Sequence, residues 1–155
     1  MKRIVVGSMS HAQTYQPQPG ERYAVLSFVD VGVEVPHIER RNGFVERLVI
    51  ACDDCTPLDP PFNGRRLRPL SEAQARQVAR FVHANADRVD TLFVHCHAGL
   101  SRSPGAALAI AEALAIAEIE MLNGQSVIPN AHVRETLRAA LALQKQQAQS
   151  SPGTV

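Results

Sequence analysis

The sequence predicts an α/β fold with a central, mostly parallel sheet flanked by helices, and three observations carry that prediction. Short apolar runs alternate with segments of helical period, the order expected of strand–helix units. The runs are dense in Val, Ile, Leu and Phe, as strands buried on both faces are. The helical segments open on recognisable start signals. Four strands are expected, over residues 4–7, 23–29, 45–51 and 91–95.

Taken in order, "IVVG" and "YAVLSFV" are the first two strands, and "VERLVIA" is the third. A helix opens at "SEAQ", where Ser71 caps and Gln74 completes a capping box, with Val78, Phe81 and Val82 as its apolar face. The fourth strand is "TLFVH". A second helix is expected from Ser103-Pro104, with proline at the first helical position, where its missing N–H costs nothing. From residue 106 to 117 only Glu112 interrupts alanine, leucine and isoleucine, so this helix is buried on almost every side. A third helix follows Asn130, with Val133, Leu137 and Leu141 four apart. Beyond Gln144 the apolar period is lost, which predicts one domain over residues 1–145 and a disordered tail over 146–155. No internal repeat is found.

A chain of 155 residues with 45% hydrophobic and 20% charged residues fits one domain burying ~68–70% of its unfolded surface. Its net charge of +1 excludes a strong field for nucleic acid or an anionic membrane. Only "IVVG" follows Met1-Lys2-Arg3 before Ser8, short of the roughly 7–15 apolar residues of a secretory signal. No run reaches the ~20 apolar residues that cross a bilayer. A soluble, cytoplasmic protein is expected. Its three cysteines, Cys52, Cys55 and Cys96, would be thiols in that reducing compartment.

Residues 94–105, "VHCHAGLSRSPG", concentrate the chemistry. The strand "TLFVH" runs into Cys96, five residues follow, and Arg102-Ser103-Pro104 opens a buried helix. Backbone N–H groups of such a loop converge on one point and the helix dipole adds to them, so a phosphate dianion can sit there. His97, Ala98, Gly99, Leu100 and Ser101 contribute that backbone, Gly99 allowing the tight turn. The same field stabilises a thiolate, which makes Cys96 the candidate nucleophile. Arg102 offers a planar fork for two phosphate oxygens. Ser103 can donate a hydrogen bond to the Cys96 sulfur.

His95-Cys96, five residues, then Arg102-Ser103 resembles the signature of the cysteine-dependent protein tyrosine and dual-specificity phosphatases. "IVVGSMS" and "ACDD" look like those of a small bacterial branch of predicted tyrosine phosphatases. The resemblance implies a dual-specificity-like fold with a four-stranded parallel sheet, a phosphocysteine intermediate and no cofactor. It also implies a general acid, an aspartate on a separate loop. Asp53, Asp54 and Asp59 follow the strand "RLVIA", whose C-terminal end should lie beside that of "TLFVH". Asp54 is preferred, then Asp53, then Asp59; one of the adjacent pair should merely cap a turn.

Other residues carry two readings each. His95 is a ligand or a base, or, as the resemblance implies, a buried residue hydrogen-bonded to the backbone of the phosphate cradle and orienting it; the second reading is preferred. His97 points outward, toward substrate or solvent. Arg65, Arg66 and Arg68 form a solvated loop face or draw in anionic substrate. Cys52 and Cys55 make a C-x-x-C, half of a zinc site, but His95, Cys96 and His97 are a poor second half because alternate side chains leave opposite faces of a strand. The same two cysteines either pack the loop or form a reversible disulfide with Cys96 under peroxide.

The expected activity is phosphate monoester hydrolysis on phosphotyrosine, with phosphoserine and phosphothreonine as further substrates. The expected partner is a phosphorylated protein or small phosphoester, with no metal, nucleic acid or membrane, and the chain is expected to be a monomer. A phosphoinositide or nucleotide phosphatase would carry lysines in the cradle, and "HAGLS" has none. A non-catalytic phosphate-binding module would lack Cys96 or Arg102.

Overall fold

The computed structural model describes residues 1–124 and 127–150. Five strands, β1 (Arg3–Gly7), β2 (Tyr23–Val29), β3 (Phe44–Ala51), β4 (Thr91–His95) and β5 (Glu118–Met121), form one sheet. Its order is β3-β2-β4-β1-β5, and every neighbouring pair is parallel. The helices are α1 (Met9–Thr14), α2 (Glu72–Asn85), α3 (Arg102–Leu114) and α4 (Ala131–Ser150). Among the described residues no helix is long and apolar enough to cross a membrane.

Wholly buried β2 and β4 lie inside the sheet, which is why their sequences are unbroken apolar runs. On one face α2, α3 and α4 cover Ile4, Val6, Leu26, Phe28, Ile50, Leu92 and Val94. On the other, Ala12 of α1 and Ile38 of the β2–β3 connection pack against Val5, Tyr23, Val25 and Phe93. Each large side chain in these layers contributes about 1.5–3 kcal/mol through burial.

The sheet has five strands rather than four. The added strand, β5, is a four-residue edge with two exposed glutamates, "EIEM", paired only with β1. Helix α1 is also additional; Ser8 and His11 close its capping box. Helix α3 starts at Arg102 rather than Ser103, so Pro104 is its third residue, still within the turn whose N–H groups have no intrahelical partner. It stops at Leu114 because Ala115 turns left-handed, at φ 53°, and leads into β5. The expected tail boundary moves as well: α4 is helical to Ser150, since Gln, Lys and Ala sustain a helix without an apolar face. Residues 151–155 of the expected tail lie outside the described residues. Finally, β3 lies beside β2, not beside β4. All five C-terminal strand ends share one edge, and the loop after β2 stands between those after β3 and β4.

Candidate active site

The 97–101 loop is pressed against the end of β1. At Gly99, φ is +73° and a Cβ would come within 2.5 Å of the Gly7 carbonyl carbon and 2.7 Å of Ser8 N, so only glycine fits. Flanking segments bind the loop's carbonyls from outside. His97 O accepts from Met9 N at 3.2 Å, Leu100 O from Ile128 N at 2.9 Å, and Ser101 O from Asn130 N at 2.9 Å. Ala98 O accepts from Asn123 Nδ2 at 2.7 Å. A trans peptide points its N–H opposite its C=O, so the N–H groups of Ala98, Gly99, Ser101 and Arg102 face inward. That of Gly99 reaches Cys96 Sγ at 3.2 Å. Those of Ala98 and Ser101 have no protein acceptor among the described residues.

Cys96 is buried, and its Sγ lies 3.1 Å from Ser103 Oγ. Behind it runs a buried chain of donors. His95 Nδ1 is 3.3 Å from Cys96 O, and a carbonyl only accepts, so Nδ1 carries the hydrogen. His95 Nε2 then accepts from Ser27 Oγ at 2.6 Å, and Ser27 Oγ accepts from Arg47 Nε at 2.9 Å. The expected orienting role of His95 has this geometry. Burial lowers the His95 pKa from 6.5 to about 4, so the ring is neutral at pH 7. In the unfolded chain it takes up a proton first as pH falls. Stability therefore drops between pH 6.5 and about 4, by about 3 kcal/mol in all. Urea denaturation from pH 7.5 to 4 should show this slope in the wild type and a shallower one in His95→Gln. Equal slopes would assign the acid sensitivity to another group.

Arg102 is folded back into the protein, its side chain 4% exposed. Its Nη1 donates to Cys52 O at 2.6 Å and pairs with Asp30 Oδ1 at 2.8 Å. Nε is buried and has no acceptor, a costly condition for a buried donor. Both bonds hold the guanidinium by Nη1, and neither uses Nε or Nη2, the edge with which an arginine makes a bidentate contact. Ser101, at the N-cap of α3, makes no side-chain cap bond; its Oγ donates to Asp54 Oδ1 at 2.7 Å instead.

The three candidate acids separate cleanly. Asp53 is buried and accepts from Arg65 Nη1 and Nη2 at 3.2 and 2.9 Å, from Arg68 N at 2.8 Å and from Val31 N at 3.4 Å. The hydrogen-bonded Arg65 guanidinium holds its carboxyl below the usual range. It is the structural member of the pair, and Arg65 is its partner rather than a free guide for substrate. Asp59 closes a turn through Thr56 N at 2.7 Å. Asp54 is exposed, joined to the cradle by Ser101 and to Asn130 Nδ2 at 2.9 Å. Of the three, only Asp54 has a recorded bond to the cradle.

His97, Ala98 and Leu100 are exposed on the loop, and Arg66 and Arg68 on the neighbouring one. All three cysteines are free thiols. Burial pushes Cys52 up to about 12 and raises Cys55, the behaviour of packing groups. Among the described residues no three His, Cys, Asp or Glu side chains converge as metal ligands. Sequence reasoning passed over Asp30 and Asn130. Asp30 is the first polar residue after β2, as Asp53 is near the end of β3, and that shared position was its signal. Asn130 caps α4 through Val133 N at 3.0 Å, while its amide also reaches Cys55 O at 3.3 Å. No protein-family model matches the chain, and no curated protein matches it.

Proposed function

We propose that the protein is a phosphate monoester hydrolase acting on phosphotyrosine, and also on phosphoserine or phosphothreonine, through a phosphocysteine intermediate on a dual-specificity-like phosphatase fold. The observation that carries this reading is Arg102: a buried guanidinium with an unpartnered Nε, at the start of the helix whose loop turns its N–H groups toward Cys96. Such a cluster of donors suits a dianion.

In the proposed reaction the cradle N–H groups and the Arg102 fork hold the phosphoryl oxygens, and the Cys96 thiolate attacks phosphorus as the P–O bond to the alcohol breaks. Asp54 gives the leaving oxygen its proton through Oδ2, since Oδ1 is engaged by Ser101 and Asn130. The resulting carboxylate then takes a proton from water, which attacks phosphorus and expels the Cys96 thiolate. Ser103 stabilises that thiolate by donating to it. Inorganic phosphate leaves, and the scheme requires no cofactor and one copy of the chain. A reducing, cytoplasmic setting would keep the nucleophile a thiol.

The wild type should hydrolyse para-nitrophenyl phosphate, with inorganic phosphate as a competitive inhibitor. Arg102→Lys keeps the charge and loses the fork, so kcat/KM should fall about 10²–10³-fold, with kcat affected more than KM. Kinetic constants indistinguishable from wild type would remove Arg102 as the clamp and this reading with it.

A further inference from the structure

Among the described residues seven large apolar side chains stand exposed, and six of them, Val33, Val35, Leu58, Phe62, Leu100 and Ile128, lie beyond strand C-termini; the seventh, Leu143, is on α4. Val33 and Val35 follow β2, Leu58 and Phe62 follow β3, Leu100 follows β4 and Ile128 follows β5. Because the sheet is parallel throughout, these loops all leave their strands at the edge that carries Cys96. They are also tied to one another at the site. Asp30 pairs with Arg102, Val31 N donates to Asp53, Ser101 Oγ donates to Asp54, and Ile128 N donates to Leu100 O. Concentrated exposed apolar surface of this kind marks a binding face.

The charge on these loops narrows the partner. On this edge residues 30–35 and 52–70 hold three arginines, five carboxylates and no lysine, the rest of the β2–β3 connection having crossed to the opposite edge, where Arg41 N meets Tyr23 OH. Arg65 is engaged by Asp53. An anionic lipid surface draws on clusters of about 4–8 unopposed Lys or Arg, and a nucleic acid backbone on a similar excess; neither is present. An apolar, lysine-free rim with no excess of positive charge is complementary to an uncharged apolar polypeptide.

We propose that this rim binds the polypeptide on either side of the phosphorylated residue, so that the substrate is a protein segment with apolar side chains flanking the phosphate. The inference rests on the hydrolase reading above and adds to it a preference that the phosphate cradle alone does not supply.

The test uses full-length Cys96→Ser and fluorescence anisotropy with three peptides: phosphotyrosine flanked by Leu and Phe, phosphotyrosine flanked by Ser and Gly, and the unphosphorylated apolar peptide. The apolar phosphopeptide should bind about tenfold tighter than the polar one, a difference of about 1.4 kcal/mol that burial of roughly 55 Å² of apolar surface supplies. Leu58→Ser/Phe62→Ser in the same background should erase that difference and leave the polar phosphopeptide's affinity unchanged. In the wild-type background the same pair should leave para-nitrophenyl phosphate turnover unchanged. Equal affinity for the two phosphopeptides overturns the rim and leaves the hydrolase reading standing. Binding of neither, together with no aryl phosphate turnover by the wild type, overturns both. Co-sedimentation with phosphatidylserine vesicles that is lost in the double variant assigns the rim to lipid and overturns the peptide assignment.

Discussion

Cys96→Ser is expected to abolish aryl phosphate hydrolysis, by about 10⁴-fold or more, while retaining affinity for inorganic phosphate. The two halves of that expectation come from different atoms. Affinity comes from the inward N–H groups of the 97–101 loop and from Arg102, of which the substitution touches only the Gly99 N–H, and that keeps a hydroxyl oxygen in place of Sγ. Turnover needs a nucleophile that attacks phosphorus and then leaves again, and a serine hydroxyl at the end of β4 serves poorly for both. The cavity hardly changes, because oxygen replaces sulfur beside Ser103 Oγ. Isothermal titration with phosphate and steady-state kinetics separate the two quantities. Turnover undiminished in Cys96→Ser would remove the cysteine from the reaction.

Asp54→Asn should lower kcat about 10²–10⁴-fold and flatten the basic limb of the pH profile. Asparagine still presents an oxygen to Ser101 and Asn130 in place of Oδ1, so the loop should stay in place while the transferable proton is lost. The deficit should be larger for phenyl phosphate than for para-nitrophenyl phosphate, whose leaving group needs less protonation. A purely structural role would give the same deficit for both. Asp53→Asn should behave in the opposite way. It removes the charge from a carboxylate bound by both Arg65 nitrogens, so stability should drop by about 2–3 kcal/mol with kcat little changed. The reverse order of effects would exchange the two roles.

Strands β1, β2 and β4 were legible in the sequence because they are buried: a run such as "TLFVH" has no solvent face to dilute its apolar signal, whereas the half-buried edge strand β3 was legible from its dense Val, Leu and Ile and the Cys96 loop from its residue pattern. Strand β5 was not, since an edge strand of four residues with two glutamates looks like a loop. Helix α1 has one buried residue, Ala12, so it shows no apolar period, and α4 outran its period because propensity alone carried it to Ser150. The candidate nucleophile, clamp and preferred acid were all readable, as each follows a strand directly or at short distance. What escaped was pairing across the sheet. Placing β3 beside β4 left no room for β2 between them, and so hid Asp30, which reaches Arg102 from the intervening loop.

Rapid-quench mass spectrometry tests the central claim, that Cys96 takes the phosphoryl group. Asp54→Asn protein is mixed with excess para-nitrophenyl phosphate, whose good leaving group keeps the first step fast while loss of the base slows the second. A burst of para-nitrophenol should accompany one phosphoryl group on the peptide carrying Cys96, with its decay matching the steady-state rate. Steady turnover with no burst, and a Cys96 peptide that stays unmodified at every quench time, would contradict the account.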